Sequence, residues 1–403
     1  MTDRPATGNR AGIFLGYGMR PFFLSAGLYA VAAMLVWVGW LALHAMNGMV
    51  VQPTSSFPAM LWHGHEMVFG YALAVIAGFL LTAVPSWTGS PILPRPRLML
   101  LFAVWAAGRL LVCFGAALPG AAVAAVDIAF PLVLAAMVAG PLWKRRAARN
   151  YLFVGVLGAF AVANGLVHGE VIGVFEDTAR TGLVLGIDTI LFLMIVVGGR
   201  IVPAFTSGAL RQEGVTLRSS GAIDAIAIAC VLALLVTDLV APETQASGIV
   251  ALGAGTAQLV RMVGWRTWWT RGKPILWVLH LGYGWIVASL FLKGAAEAFG
   301  WLSPAAALHG LTIGAIGTMT LGVMSRAALG HTGRAIVAAP ALATAYALVS
   351  AAALTRMFGP TLLPDWYSGA MIVSGSLWIV AFGVFAALFW PVLTRPRIDG
   401  RPG

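Results

Sequence analysis

The chain has 403 residues, 60% of them hydrophobic and 10% charged, with a mean hydropathy of +0.90. Soluble domains carry about 25% charged residues, so a water-soluble globule is excluded and a polytopic membrane protein is expected. The net charge of +11 does not point to nucleic acid, because the positive residues sit in short tracts between apolar runs, where membrane topology accounts for them.

A helix needs about 20 apolar residues to cross about 30 Å of hydrocarbon. That rule gives twelve runs, near 22–43, 60–84, 98–118, 121–142, 151–170, 182–203, 221–241, 246–263, 274–296, 304–326, 335–356 and 369–392. The first 20 residues are polar and run 1 is too long for a cleaved signal, so run 1 is expected to act as an uncleaved anchor. With the N-terminus in the cytoplasm, the cytoplasmic segments hold 21 of the 25 Lys and Arg, including Arg4 and Arg401. The exceptions are Arg109 within run 3, and Arg180, Lys293 and Arg356 at outer ends. A missed helix would scramble that alternation. The expected fold class is therefore all-α, a polytopic membrane protein with both termini cytoplasmic. It forms a single twelve-helix transmembrane domain over 1–403, with 1–20 and 393–403 as cytoplasmic segments, in a bacterial inner membrane. Cys113 and Cys230 lie inside apolar runs and read as small packing residues.

Three stretches resemble one another: "AVPSWTGS" (83–90) after run 2, "IVPAFTSG" (201–208) after run 6 and "RAALGHTG" (326–333) after run 10. Runs 1, 5 and 9 each follow a base, namely Arg20, Arg149 and Lys273. The period is four helices, which points to three four-helix repeats.

Ionisable groups inside membrane segments are costly and mark candidate sites. Run 2 opens on "WHGHE", and two histidines with a carboxylate in four residues are hard to bury without a cation. At 100° per residue His63 and His65 point about 200° apart, while His63 and Glu66 share a face. The two imidazoles then serve two centres, or one centre and a supporting role. His168 and His309 fall in the same outer third, as does His44, which reads as an interfacial residue. In run 10, Gly310, Gly314 and Gly317 near His309 mark either a slot for a flat cofactor or ordinary small-residue packing. "HGHE" lacks the spacing of a zinc hydrolase. On the cytoplasmic side, Arg200, Arg326, His331 and Arg334 read as topogenic charge or as a site for haem propionates, a quinol headgroup or a small anion; His280, two turns into run 9 from that side, is a separate cofactor-binding candidate. Asp188 and Lys293 are buried-charge candidates for proton delivery, with Asp127 and Asp224 weaker ones.

At this point the chain resembles the NnrS family of bacterial membrane proteins. The resemblance rests on "RPFFLSAGLYA" (20–30), "WHGHEMVFGYALAVIAGFLLTAVPSWTG" (62–89), "GGRIVPAFT" (198–206), "LHLGYGWI" (279–286) and "HGLTIGAIGTMTLGVMSRAALGHTGR" (309–334). The family usually has His-Ala-His where this chain has His63-Gly64-His65. The resemblance implies a protein holding haem and copper that protects cells from nitric oxide, with His63, His65, His168, His280, His309 and His331 as its characteristic histidines and His44 outside the pattern. The expected activity is reduction of two nitric oxide molecules to nitrous oxide. His63 or His65 with His309 would serve haem b, the other outer histidines including His168 would serve copper, and Glu66 would support a ligand or move protons. Electrons would come from quinol, a partner or a soluble reductant, since Cys-x-x-Cys-His is absent. A non-catalytic nitric oxide binder or sensor, and a metal or haem transporter, remain open.

Overall fold

The computed structural model describes residues 10–47, 55–218 and 220–400; Arg4 and Arg401, counted above among the cytoplasmic charges, lie outside them. Among the described residues twelve helices are long and apolar enough to cross a membrane. They are α1 (Met19–Met46), α2 (Ala59–Thr88), α3 (Arg95–Ala117), α4 (Gly120–Lys144), α5 (Ala148–Val171) and α6 (Ala179–Glu213). Then come α7 (Gly221–Val240), α8 (Gln245–Val263), α9 (Pro274–Phe299), α10 (Pro304–His331), α11 (Pro340–Leu362) and α12 (Pro364–Thr394). Each contains or overlaps one expected run.

Helix ends follow local chemistry. Thr244 and Ser303 cap α8 and α10 by accepting from the N–H of Ser247 and Ala306, and prolines occupy the first turns of α9, α10 and α11, where a missing N–H costs nothing. Run 11 was expected from 335, but α11 starts at Pro340: Ala339 before it is held extended at ψ 152°, as a residue preceding proline prefers.

The bundle has an inner and an outer ring. In α2, α6 and α10 the most apolar stretches are 83%, 72% and 78% buried, against 61% or less in the other nine. The outer helices present Leu, Val and Trp outward, with Trp143, Trp268 and Trp301 at least 74% exposed near helix ends, the pattern of a lipid-facing belt.

The three similar stretches share one local bond. Thr88 and Thr206, sixth in their stretches, and Thr332, seventh in its own, are buried. Each returns its hydroxyl to the carbonyl four residues earlier, at 2.7, 2.7 and 2.6 Å. Twelve crossings bring the start of α1 and the end of α12 to one face, where Arg20 Nη1 donates to the Leu393 and Arg395 carbonyls at 3.0 and 2.8 Å. This is called the near face below, and the opposite one the far face. α12 packs on α1 as α4 packs on α5 and α8 on α9. The groups are therefore α2–α5, α6–α9, and α10–α12 closed by α1.

Two inner helices change winding just below the far face. α2 is α-helical over Ala59–His65 and π-helical over Glu66–Ala72; α10 is π-helical over Gly310–Gly317. Such i→i+5 turns are rare and concentrate at functional sites.

Candidate metal centre

The opening turn of α2 places its histidines on opposite sides, as 200° of helical rotation requires. His65 is fully buried and faces α4 and α5. Its Nε2 lies 2.8 Å from Asn164 Oδ1 and 3.1 Å from Asp127 Oδ2. His168 Nε2 meets the same Asp127 oxygen at 2.9 Å, and Asn164 Nδ2 donates to it at 2.9 Å. One ligand atom each from His65, Asp127 and His168 lies within 4.8 Å of the others, and all three residues are buried. Asn164 and His168 share a face of α5 four residues apart, so one helix delivers both.

Glu66 belongs to this cluster too. It was expected on the His63 face, but its Oε1 lies 2.8 Å from His65 Nδ1 and accepts from Arg109 Nη1 at 2.7 Å. The winding becomes π-helical at Glu66 itself, and the guanidinium of Arg109 draws the carboxylate toward α3. Tyr29 of α1 donates its hydroxyl to Glu66 Oε2, and Arg109 Nη2 donates to Asp127 Oδ1. The guanidinium passes so close to α2 that a Cβ at Gly70 would lie 2.9 Å from Arg109 Nη1 and 2.7 Å from the Tyr29 ring. Phe57 and Phe69 cover the imidazoles, with ring centroids 4.9 and 5.0 Å from that of His65.

The donor set fits a cation. Both nitrogens of His65 face oxygen acceptors, whereas a neutral imidazole has one N–H to give. Glu66 and Asp127 bring two negative charges and Arg109 one positive, leaving one negative charge in a site 0–5% exposed. A proton on Glu66, a second proton on an imidazole, or a metal ion closes that deficit. Two imidazoles and a carboxylate suit first-row metals.

On the other side of α2, His63 stacks on Trp37 at 4.5 Å and 9°. The stack continues through Trp40 to His44, with spacings of 5.2 and 5.3 Å, so His44 is the surface end of a four-ring ladder. His63 Nδ1 is buried without a hydrogen-bond partner, and His309 and Arg356 are its electrostatic neighbours. His309 Nδ1 is bound to the Ala305 carbonyl at 2.6 Å, the support that fixes a ligating histidine with Nε2 free for a metal. The glycines of α10 do not border an open slot. A Cβ at Gly314 would lie 2.6 Å from Trp285, one at Gly317 2.6 Å from Trp378, and one at Gly310 3.2 Å from the Met357 sulphur. Small-residue packing is what these positions do.

The remaining sequence candidates lie apart from both histidine sites. His280 is held by Thr206 at 2.8 Å and Thr267 at 3.0 Å toward the near face, beside a groove of about 470 Å³ lined by Thr267, Trp268 and Trp277. Arg200, Arg326, His331 and Arg334 form no joint site. Arg200 reaches Asn150 at 3.4 Å and Arg326 covers the Phe205 ring at 4.0 Å. His331 packs on Tyr17 and Arg334 reaches the Thr332 carbonyl. Asp224 pairs with Arg261 at 2.6 Å. Asp188 and Lys293 share a cluster with Asp238, away from Glu66. Arg109, Asn164 and Tyr29 were not among the sequence candidates. Arg109 had left a signal as a base in the middle of a run, Asn164 stands four residues before His168, and Tyr29 lies in the 20–30 stretch that carries the family resemblance.

No curated protein matches the chain. The NnrS protein family model matches residues 13–397, nearly the whole sequence. Taken with twelve apolar helices and a buried His-Asp-His group, this match shows that the chain belongs to the NnrS family, multi-pass membrane proteins whose membership points to metal binding and a relation to nitric oxide.

Proposed function

We propose that the protein reduces nitric oxide at a metal held by His65, Asp127 and His168, and that this metal is copper. The observation that carries this reading is the deficit of one positive charge around a fully buried His65 whose two nitrogens both face oxygen. A cuprous ion brings the sum to zero. His63 and His309, with Arg356 placed for a propionate, would hold haem b. The two sites stand on opposite sides of α2, so a haem held there would serve the copper as an electron carrier.

The balance is two nitric oxide, two electrons and two protons to nitrous oxide and water. When bound, the metals supply coordination positions and electrons, the latter from quinol or a soluble reductant. The chain supplies the rest. Nitric oxide is small and weakly polar, so it enters from the bilayer past Phe57 and Phe69, which keep bulk water from the imidazoles. Arg109 fixes the Glu66 and Asp127 carboxylates from one planar fork. Glu66, ionised at rest, takes up a proton at Oε2 during turnover, along the hydrogen bond from the Tyr29 hydroxyl. The distribution of Lys and Arg supports a cytoplasmic near face and a place in the bacterial inner membrane.

The split between the two sites favours a second reading, a non-catalytic nitric oxide binder. Purified protein given excess reductant separates them. Many turnovers with one nitrous oxide per two nitric oxide consumed support the reductase, and a single stoichiometric binding event supports the binder. A colourless, metal-free preparation sinks both and favours transport of metal or haem.

A further inference from the structure

Helices α6–α9 enclose a second buried cluster of charges, with the body of α6 between it and the metal centre. Gly186 of α6 packs against Val68 and Phe69 of α2, while Asp188, two residues on, turns to α7 and α9. There it meets Asp238, Lys293 and Glu297. Lys293 Nζ lies 3.0 Å from Asp238 Oδ1 and 2.5 Å from Glu297 Oε1, and Ser247 of α8 donates to the same Asp238 oxygen. Asp188 and Asp238 are each 5% exposed, and the Glu297 side chain 4%. Fully ionised, three carboxylates against one ammonium leave two uncompensated negative charges. An unpaired charge at membrane depth is costly.

Two oxygens show what is missing. No donor reaches Asp188 Oδ2 or Glu297 Oε2, and both atoms are buried. Asp188 instead stands within hydrogen-bonding range of the Asp238 carboxyl. Two carboxyl groups can share a hydrogen bond only if one of them carries a proton. A chelated metal is the other way to neutralise such a cluster. However, Asp188, Asp238 and Glu297 do not converge as His65, Asp127 and His168 do, because the Lys293 ammonium stands between two of them.

We propose that Asp188, Asp238, Glu297 and Lys293 form a proton-holding site that binds two protons at neutral pH, one shared between Asp188 and Asp238 and one on Glu297 Oε2. Uptake of both takes the site from a charge of minus two to zero. The site stands on its own geometry; its use as a store for the two protons consumed per nitrous oxide rests on the reductase reading.

Infrared difference spectroscopy of the full-length, metal-loaded protein in lipid nanodiscs, through pH steps and H2O-to-D2O exchange, reads protonated carboxyls directly through their C=O stretch. The expected result is a deuterium-sensitive protonated-carboxyl signal at neutral pH in the wild type. It falls by about one carboxyl in Asp188→Asn and again in Glu297→Gln. Lys293→Met, which removes the fixed cation, raises it. Metal content stays unchanged in all three. A neutral-pH spectrum from which neither Asp188→Asn nor Glu297→Gln removes any protonated-carboxyl intensity overturns the proposal. If one variant fails to fold, the other two still decide it. Signal without nitrous oxide formation keeps this site and sinks the reductase; nitrous oxide formation without signal does the reverse.

Discussion

Replacing Asp127 by Asn tests the metal centre most sharply, because it keeps the shape of the side chain and removes its charge. Four groups lose a carboxylate: Arg109 Nη2, Asn164 Nδ2 at 2.9 Å, His168 Nε2 at 2.9 Å and His65 Nε2 at 3.1 Å. Removing one partner of a buried ion pair costs about 3–5 kcal/mol. Arg109 keeps Glu66 at 2.7 Å, which puts the cost near the lower end, about 3 kcal/mol. At about 1.4 kcal/mol per decade, that is roughly a 100-fold loss of affinity for a bound cation. The charge count separates the two accounts of the site. Without metal, Asp127→Asn leaves Glu66 and Arg109 balanced, so a metal-free ion network would lose little stability or gain some. With metal, the ion loses both a ligand and the charge that holds it. The assay is metal per protein against a graded chelator, with unfolding followed by tryptophan fluorescence. Wild-type metal retention at every chelator concentration would refute the ligand role of Asp127. A metal-free wild type stabilised by the substitution would refute the metal centre altogether.

The other predictions separate the two histidine sites and test their supports. His63→Ala and His309→Ala should abolish haem absorbance while sparing copper, and His65→Ala and His168→Ala should do the opposite; loss of both metals in all four variants contradicts two separate centres. Glu66→Gln should slow nitric oxide turnover per bound metal by about 10²–10⁴-fold, the usual worth of a positioned proton carrier, and loosen the metal by removing one negative charge; an unchanged rate per metal removes Glu66 from proton transfer. Gly70→Ala should destabilise by about 1–3 kcal/mol and loosen the metal, since its Cβ meets Tyr29 and Arg109 below 3.0 Å. Gly155→Ala on α5, with nothing within 4 Å, is the control and should melt no lower than the wild type.

The helix count, the four-helix period and the opposed faces of His63 and His65 were legible in the sequence, because each follows from a periodicity: about 20 residues per crossing and 100° per residue. Partner choice was not legible, because it depends on which helices become neighbours. Asp127 read as a weak candidate on α4 until α5 brought His168 to 2.9 Å and α3 brought Arg109. The glycines of α10 read equally well as a cofactor slot, and only the placement of Trp285 and Trp378 fills them. Glu66 was misplaced because the spacing rule assumes an α-helix, and the winding turns π at that residue. The arginines near the inner ends of α6 and α10 looked like one site because they are close along each helix, yet each turns to a different neighbour.

The three groups of helices answer one electrostatic problem in three ways at similar depth. The last helix of each group carries an i, i+4 pair near the far face: Asn164 and His168 on α5, Lys293 and Glu297 on α9, Trp40 and His44 on α1. In the first group an arginine offsets one of two carboxylates, and two imidazoles are left to share a cation. In the second the lysine is itself the cation, covalently supplied, and the surplus of acids is left to protons. In the third no carboxylate enters: His309 and Arg356 stand beside His63 of α2, an arrangement that attracts an anion-bearing cofactor rather than a bare ion. On this argument metal preference is set by which ionisable residues each repeat contributes, not by the scaffold. Exchanging Lys293 for His should therefore give the second group an imidazole among its carboxylates, the makings of a metal site; cobalt or copper binding by Lys293→His above the wild-type stoichiometry would show it, and no added ion would refute it.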